Sequence, residues 1–398
     1  MSTLFSRVRL GDERVDVLVY DGLIARVAPA GTLEEALADT VCRGGWLTPP
    51  LAEPHCHLDA ALLADRAPNV SGTLVEGIEN WAALAPSLSV EDIVSRATRT
   101  ARMYAGWGCL RIRSHVDTEC PAAVEALLQV REDLRDEGIS LQIVAFPQRG
   151  ILRAPGRQQA WERAVEAGCD VVGAIPHFER THPEGDRSLE LAFALAERWG
   201  RQIDVHCDET DDPHSRHLEQ MCALTIDRSW GERVVASHCT AMHSYPNPHA
   251  AKVATLAGEA GLQVVTNPLD NSVLMGRYDS GPTRRGHTRV KALWAAGVPV
   301  GIGHDSVQDP WYPLGTANLM DAAYVLVHYA HLSGTEEMER VAATLWTDNH
   351  RPWGGAPQLV EGAEATLLWW PQTRGIDLLR ERPRPSVFVR GQQRFASA

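Results

Sequence analysis

The sequence predicts an α/β protein, a (β/α)8 barrel of the TIM type with a small β-domain assembled from its two ends. Three observations carry this expectation. Apolar runs rich in Val and Ile recur at intervals of roughly 30 residues, longer stretches with helical patterning separate them, and each run begins apolar and ends polar. Strand alternating with helix implies a parallel sheet. Buried strands with polar C-terminal ends suit a barrel that carries its chemistry on one rim.

The runs, in chain order, are WLTPPLAEPHCH, CLRIRSHVD, LQIVAFPQ, DVVGAIPH, QIDVHCDE, RVVASHCT, LQVVTNP and VPVGIGHDS, eight in about 300 residues. Segments such as ALLADRAPNVSGTLVEGIENWAAL and SLELAFALAERWG supply the connecting helices. A doubly wound open sheet is the rival fold, but it usually shows a glycine-rich phosphate turn after an early strand, and the chain has no GxGxxG. The barrel is placed at 49–354. Residues 1–48, with RVDVLVYDG and LIARVAP, and residues 355–398, with ATLLWW and SVFVRGQQRFAS, are expected to share the small β-domain.

Composition narrows the function. A chain of 398 residues, 44% hydrophobic and 22% charged, can bury a sizeable core. A net charge of −13 without a basic stripe excludes a nucleic-acid partner. No run has signal-peptide character or the roughly 20 apolar residues of a membrane span, so a cytoplasmic protein without membrane attachment is expected. The eight cysteines form no CxxC pair and are read as reduced core residues. Lysine is scarce: Lys252 and Lys291 are the only two.

His55 and His57 stand two apart on a strand, so both side chains face the same way, as ligands of one metal ion must. Alone the pair says little, because chance supplies roughly 0.6 HxH pairs in such a composition. Other strand ends add His206, His238 and Asp305, so five metal-type residues meet on one rim. Each taken singly reads equally as a buried, hydrogen-bonded histidine or a capping aspartate. Together they read as a site for zinc or ferrous iron with an open position for water, hence a hydrolytic centre. Glu209, His238 and Asp305 are the candidates for proton transfer, although Glu209 in DETDD also reads as a surface carboxylate. Gln148 ends its strand on the same rim, where an amide suits the edge of a heterocycle or simply meets solvent. Cys56, Cys207 and Cys239 each adjoin a site histidine, and strand alternation turns them away as packing residues.

With these residues in place, the chain resembles the bacterial cytosine deaminases of the amidohydrolase superfamily. The likeness rests on EPHCHLD, SGTLVEGIENW, LQIVAFPQRGI, VVGAIPHFE, IDVHCDETDD, ASHCTAMHSY, RYDSGPTRRG and GHDSVQDPWYPLGTAN, and it covers nearly the whole length. It implies one divalent ion, Zn2+ or Fe2+, on His55, His57, His206 and Asp305, with His238 helping to activate water and Glu209 shuttling protons. It also implies Gln148 at the O2 and N1 edge of the base, Trp311 at the pocket wall, and a homo-oligomer. Superfamily branches with two metals use a carbamylated lysine on the fourth strand, but DVVGAIPH has none.

One position departs from the resemblance. Typical relatives have GHDD at the last strand, and this chain has Ser306 after Asp305. Loss of a charge and some bulk there would admit a 5-methyl group, so 5-methylcytosine is expected to react better than cytosine; neutral variation is the plainer reading. Another amidine-bearing ring (isoguanine, isocytosine, creatinine or an aminotriazine) is the alternative substrate, and a non-catalytic metal-binding barrel is the alternative class. Base-flipping deaminases of nucleic acids carry a PCxxC signature that is missing, so a free nucleobase is expected.

Overall fold

The computed structural model of the protein describes residues 2–371 and 375–395. Five strands come first: β1 (Ser2–Leu10), β2 (Glu13–Tyr20), β3 (Leu23–Pro29), β4 (Thr40–Arg43) and β5 (Trp46–Thr48). The eight anticipated runs follow as β6 (Leu51–Cys56), β7 (Cys109–Asp117), β8 (Ser140–Phe146), β9 (Val171–Ala174), β10 (Gln202–Cys207), β11 (Val234–His238), β12 (Gln263–Thr266) and β13 (Val300–Ile302). The last are β14 (Leu367–Trp370), β15 (Ser386–Val389) and β16 (Gln392–Arg394).

β6 to β13 lie side by side in chain order and run parallel. The sheet closes on itself where a parallel bridge joins Cys56 to Asp305, the Asp305 N–H donating to the His55 carbonyl at 3.0 Å. Buried Glu53 spans the same seam, accepting from the backbone N–H of His55 at 2.9 Å and of His304 at 3.0 Å. The result is the expected TIM-type barrel, and its closing seam is also where the candidate ligands lie.

The barrel interior is not wholly apolar. Arg113, His115, Asp204 and His206 point inward at alternate positions of β7 and β10 and are buried. Arg113 donates to Gln142 Oε1 and, at 3.0 Å, to Asp204 Oδ2. A layer of paired polar groups therefore sits beneath the histidines and fixes the interior by hydrogen-bond geometry. Outside, amphipathic helices cover the strands. Helix Val90–Gly106 starts at the Ser89 cap, and helix His182–Trp199 runs from the Thr181 cap to Gly200, whose left-handed φ of 63° stops it.

One helical expectation is corrected. Of ALLADRAPNVSGTLVEGIENWAAL only Leu74–Leu84 is helical. Before it, Pro68 lacks an N–H, Gly72 takes φ +66°, and the Asn69 side chain bonds the carbonyls of Thr73 and Pro310 and the N–H of Gly72, which holds a loop instead of a helix turn.

The chain's two ends build a second sheet in the order β16-β15-β14-β5-β1-β2-β3, with β4 beside β1. Phe5 of β1 meets Phe388 of β15 edge-on at 5.0 Å, so the N- and C-terminal strands share one core. Residues 396–398, the end of the expected SVFVRGQQRFAS strand region, lie outside the described residues.

Candidate active site

His55 lies on β6 and His57 just beyond it, His206 is on β10, His238 ends β11, and Asp305 follows β13. All five are buried at the same barrel end. His57 Nε2 and His206 Nε2 are 3.2 Å apart, and Asp305 Oδ1 is 3.5 Å from His57 Nε2 and 3.6 Å from His55 Nε2. Metal–nitrogen bonds of about 2.0–2.1 Å at near-tetrahedral angles put neighbouring ligand atoms about 3.3 Å apart. The spacing fits one ion. His238 Nε2 is 3.9 Å from the other Asp305 oxygen, and His238, His55 and His206 each offer a ligand atom within 4.8 Å of the others.

Protonation supports the fit. Burial, followed by repulsion from neighbouring positive groups, pushes His55 and His206 well below the ordinary histidine range, and burial takes His57 down to about 3. Neutral imidazoles offer lone pairs. His55 Nε2, aimed into the site, has no hydrogen-bond partner among the described residues. Its Nδ1 lies 2.9 Å from Ser237 Oγ, and that hydroxyl gives its one proton to Asp204 Oδ1 at 2.8 Å. The imidazole must therefore donate from Nδ1, leaving Nε2 bare. Arg113 fixes Asp204 in turn, so the polar layer below sets the tautomer of His55 above.

Glu209 follows the buried turn at Asp208, whose carboxylate accepts from the N–H groups of His217 at 3.1 Å and Leu218 at 2.9 Å and so caps the next helix. That turn delivers Glu209 to the site: its Oε1 is 3.2 Å from His238 Nδ1 and accepts from Asn271 Nδ2 at 3.1 Å. Burial pushes the Glu209 carboxyl up to about 8, near the value a group needs to take and return a proton at neutral pH. The surface-carboxylate reading of Glu209 is thus corrected, since it is 5% exposed. Asp305 and His238 both take left-handed φ, +66° and +68°, strain held in place by the closing seam and the Asn267 and Asn271 amides around His238.

These groups line a cavity of about 290 Å³. Gln148, Ser306 and Trp311 face it together with His57, His206, Glu209, His238 and Asp305, so every residue singled out from sequence except deeper-lying His55 lines one space. Trp311 is set by Asp309, whose Oδ1 accepts from the Trp311 and Tyr312 N–H groups at 2.9 and 3.0 Å. Helix Leu74–Leu84 closes over it with Leu74, and a Cβ on Gly77 would come 2.5 Å from Trp311 Cδ1, so only glycine permits that approach. Cys56, Cys207 and Cys239 are in the apolar core as expected, and all eight cysteines are buried and unpaired.

Sequence reasoning missed Asp270, which lines the same cavity and is 2% exposed. Its Oδ1 accepts from the Ser306 N–H at 3.4 Å. A second carboxyl group thus stands beside Ser306, and burial, followed by the nearby Asp309, pushes it well above the ordinary carboxylate range. Asn267, Asn271 and His115 were also missed. The sole signal for them was polarity at and after the end of LQVVTNP and toward the end of CLRIRSHVD.

A closed (β/α)8 barrel with neutral imidazoles and buried carboxyl groups on its C-terminal rim defines a metal-dependent hydrolase. The chain belongs to the amidohydrolase family, whose pattern (Amidohydro_3) matches residues 97–349. It is similar to the 5-methylcytosine deaminase of Klebsiella pneumoniae liganded with 5-fluorocytosine: 37% identity, TM-score 0.92, over 100% of this chain and 98% of that one. It is 29% identical to the pterin deaminase of Rhizobium rhizogenes over 95% of this chain and 86% of that protein. N-isopropylammelide isopropylaminohydrolase of Burkholderia multivorans is 25% identical, with TM-score 0.81 over 99% and 98% of the two chains. Among the described residues no helix is long and apolar enough to cross a membrane.

Proposed function

We propose that the protein deaminates a free cytosine-type base by hydrolysis, with 5-methylcytosine as the preferred substrate and thymine and ammonia as products. The observation that carries this reading is the convergence of the metal-type set, Glu209, Gln148 and Trp311 on one cavity of about 290 Å³. The Klebsiella protein that shares 37% of its residues is a 5-methylcytosine deaminase.

A single Zn2+ or Fe2+ would be held by His55, His57, His206 and Asp305, and when bound it supplies a water molecule acidic enough to act as nucleophile at neutral pH. Gln148 offers donor and acceptor to the O2 and N1 edge of the base. Glu209 takes a proton from the attacking water and delivers it to ring N3; the remaining hydroxyl proton then passes to the exocyclic amino group, the C4–N bond breaks, and ammonia leaves a carbonyl at C4. His238, neutral and braced by Asn271, orients the water for attack at C4. Trp311 and Leu74 cover the ring and exclude bulk solvent. Ser306 leaves room for a 5-methyl group beside Asp305.

A second reading, an amidine ring other than cytosine, is favoured by the pterin deaminase relative, which matches 95% of this chain. An ammonia-release assay on metal-loaded enzyme with 5-methylcytosine, cytosine, isoguanine, creatinine and pterin separates the two. The cytosine-type reading expects the pyrimidines to lead. Release from pterin alone supports the second reading, and cytosine outpacing 5-methylcytosine by tenfold removes the argument from Ser306.

A further inference from the structure

A second group of metal-type side chains lies outside the barrel, in the helical layer. His182 and Asp186 stand four apart on the first turns of helix His182–Trp199, and His217 opens helix His217–Arg228. His182 Nδ1 is 3.2 Å from Asp186 Oδ2, and His217 Nδ1 is 2.9 Å from Asp186 Oδ1. The two imidazoles stack with centroids 4.2 Å apart and planes 27° from parallel, and both present Nδ1 to the one carboxylate. Each of the three residues offers a ligand atom within 4.8 Å of the others. Gly185 makes this convergence possible. A Cβ there would come 2.4 Å from His217 Cε1, so a side chain at 185 would drive the ring away from the helix that carries its partners. None of the three residues lines the active-site cavity.

Two bare imidazole nitrogens cannot face carboxylate oxygens at these distances. Either each ring carries a proton on Nδ1, or one cation shared by all three side chains takes the place of both protons. Three features favour the cation. The separations of 2.9 and 3.2 Å are close to those between neighbouring ligand atoms of a single ion. Asp186 has no arginine or lysine partner among the described residues, whereas Glu184, Glu190 and Glu219 on the same two helices pair with Arg180, Arg187 and Lys252. The cluster also grades from buried His217 through half-buried Asp186 to exposed His182, which leaves water free to complete the coordination. We propose that His182, Asp186 and His217 form a second divalent-cation site, separate from the hydrolytic centre and of the zinc type that imidazole and carboxylate ligands suit. A cation there clamps together the helices that precede and follow β10. The N–H groups of His217 and Leu218 donate to Asp208, the residue before Glu209, so the clamp also steadies the turn that delivers Glu209. The site does not depend on which base is deaminated.

The test is zinc stoichiometry. Metal-stripped parent, His182→Ala and Asp186→Ala proteins are dialysed against graded Zn2+, and zinc per chain is read by mass spectrometry. Both replaced side chains reach solvent and the Thr181 cap is untouched, so the variants keep the fold, which circular dichroism checks. We expect the parent to bind one ion more than either variant. Where a variant still binds it, the dissociation constant should rise by at least the ~10–100-fold that loss of a mere supporting partner costs. The extra ion should raise the Tm of the parent as Zn2+ passes that dissociation constant and leave both variants unmoved. Ammonia release at low zinc, with the second site vacant in all three proteins, should be equal. The same zinc uptake in parent and variants overturns the assignment. Ammonia release that falls tenfold in both variants at low zinc overturns the separation from the hydrolytic centre, and an extra ion that leaves the Tm of the parent unchanged overturns the clamp.

Discussion

Ser237 makes no contact with the cavity, yet the geometry gives it control over metal affinity. Its hydroxyl donates to Asp204 Oδ1 at 2.8 Å and so can only accept from His55 Nδ1 at 2.9 Å. Ser237→Ala removes that acceptor in a fully buried setting. Two outcomes are open to His55. It can keep the proton on Nδ1 with no partner, at a cost of about 1–3 kcal/mol. It can instead move the proton to Nε2, where binding a cation must first reverse the shift at similar expense. By either route the metal dissociation constant should rise about 10- to 100-fold, the range found when such supporting partners of metal ligands are lost.

The assay is competition between the metal-free protein and a chromogenic chelator, on the parent, Ser237→Ala and Ser237→Thr, which retains a hydroxyl. The expected order of affinity is parent, then Thr, then Ala. An Ala variant within twofold of the parent would refute the argument that the hydroxyl fixes the tautomer. Equal losses in Ala and Thr would trace the effect to packing.

Other predictions follow from the same structure. Glu209→Gln should retain metal while ammonia release falls about 10²- to 10⁴-fold, the usual worth of a positioned acid–base; activity near the parent would remove the shuttle assignment. Arg113→Met leaves Asp204 buried without its cation and should destabilise the fold by about 3–5 kcal/mol in denaturant titrations, while the Arg113→Met/Asp204→Leu pair should recover most of the loss. Gly77→Ala drives a methyl to 2.5 Å from Trp311 Cδ1 and should raise KM about tenfold with little effect on kcat. Asp16 titrates in the small sheet. Burial alone would raise its carboxyl, but N–H groups of Arg7, Leu33, Gly31 and Thr32 outweigh that and hold it below the ordinary range. Its folded value is the lower one, so its stabilisation is full at neutral pH and is lost as pH falls from about 4 through that value. Denaturant midpoints from pH 7 to pH 3 should drop further in the parent than in Asp16→Asn.

The barrel strands were legible because a buried parallel strand is a run of apolar residues, and its chemistry can stand only at the polar end. His206, His238 and Asp305 were found that way. β1 was not. Its Arg7 takes φ +54° and the pairing with β2 slips between Phe5 and Val8, so the two-residue alternation that marks a strand is broken in the middle. Asp16 holds the slip by accepting from Arg7 N–H at 2.7 Å, a contact nine residues away that local patterning does not show. Asp270 escaped for a related reason. It lies past the end of β12 in a short helix, Pro268–Leu274, where an aspartate ordinarily reads as a first-turn acid. Its meaning depends on Ser306, 36 residues later.

The Arg113 layer explains why such a site can be rigid although its side chains sit on separate strands. His55, His206 and His238 come from β6, β10 and β11, and in a barrel of purely apolar interior each ring could turn about its own χ2. Here His55 is tied through Ser237 and Asp204 to Arg113, and Arg113 is tied to Gln142 of β8. Four strands besides β6 are thus referenced to one guanidinium, counting β7, β8, β10 and β11. Replacing that layer with Val or Leu would preserve the barrel's volume and leave the tautomer of His55 unspecified. The buried ion pair is therefore better understood as what orients His55 than as a source of net stability.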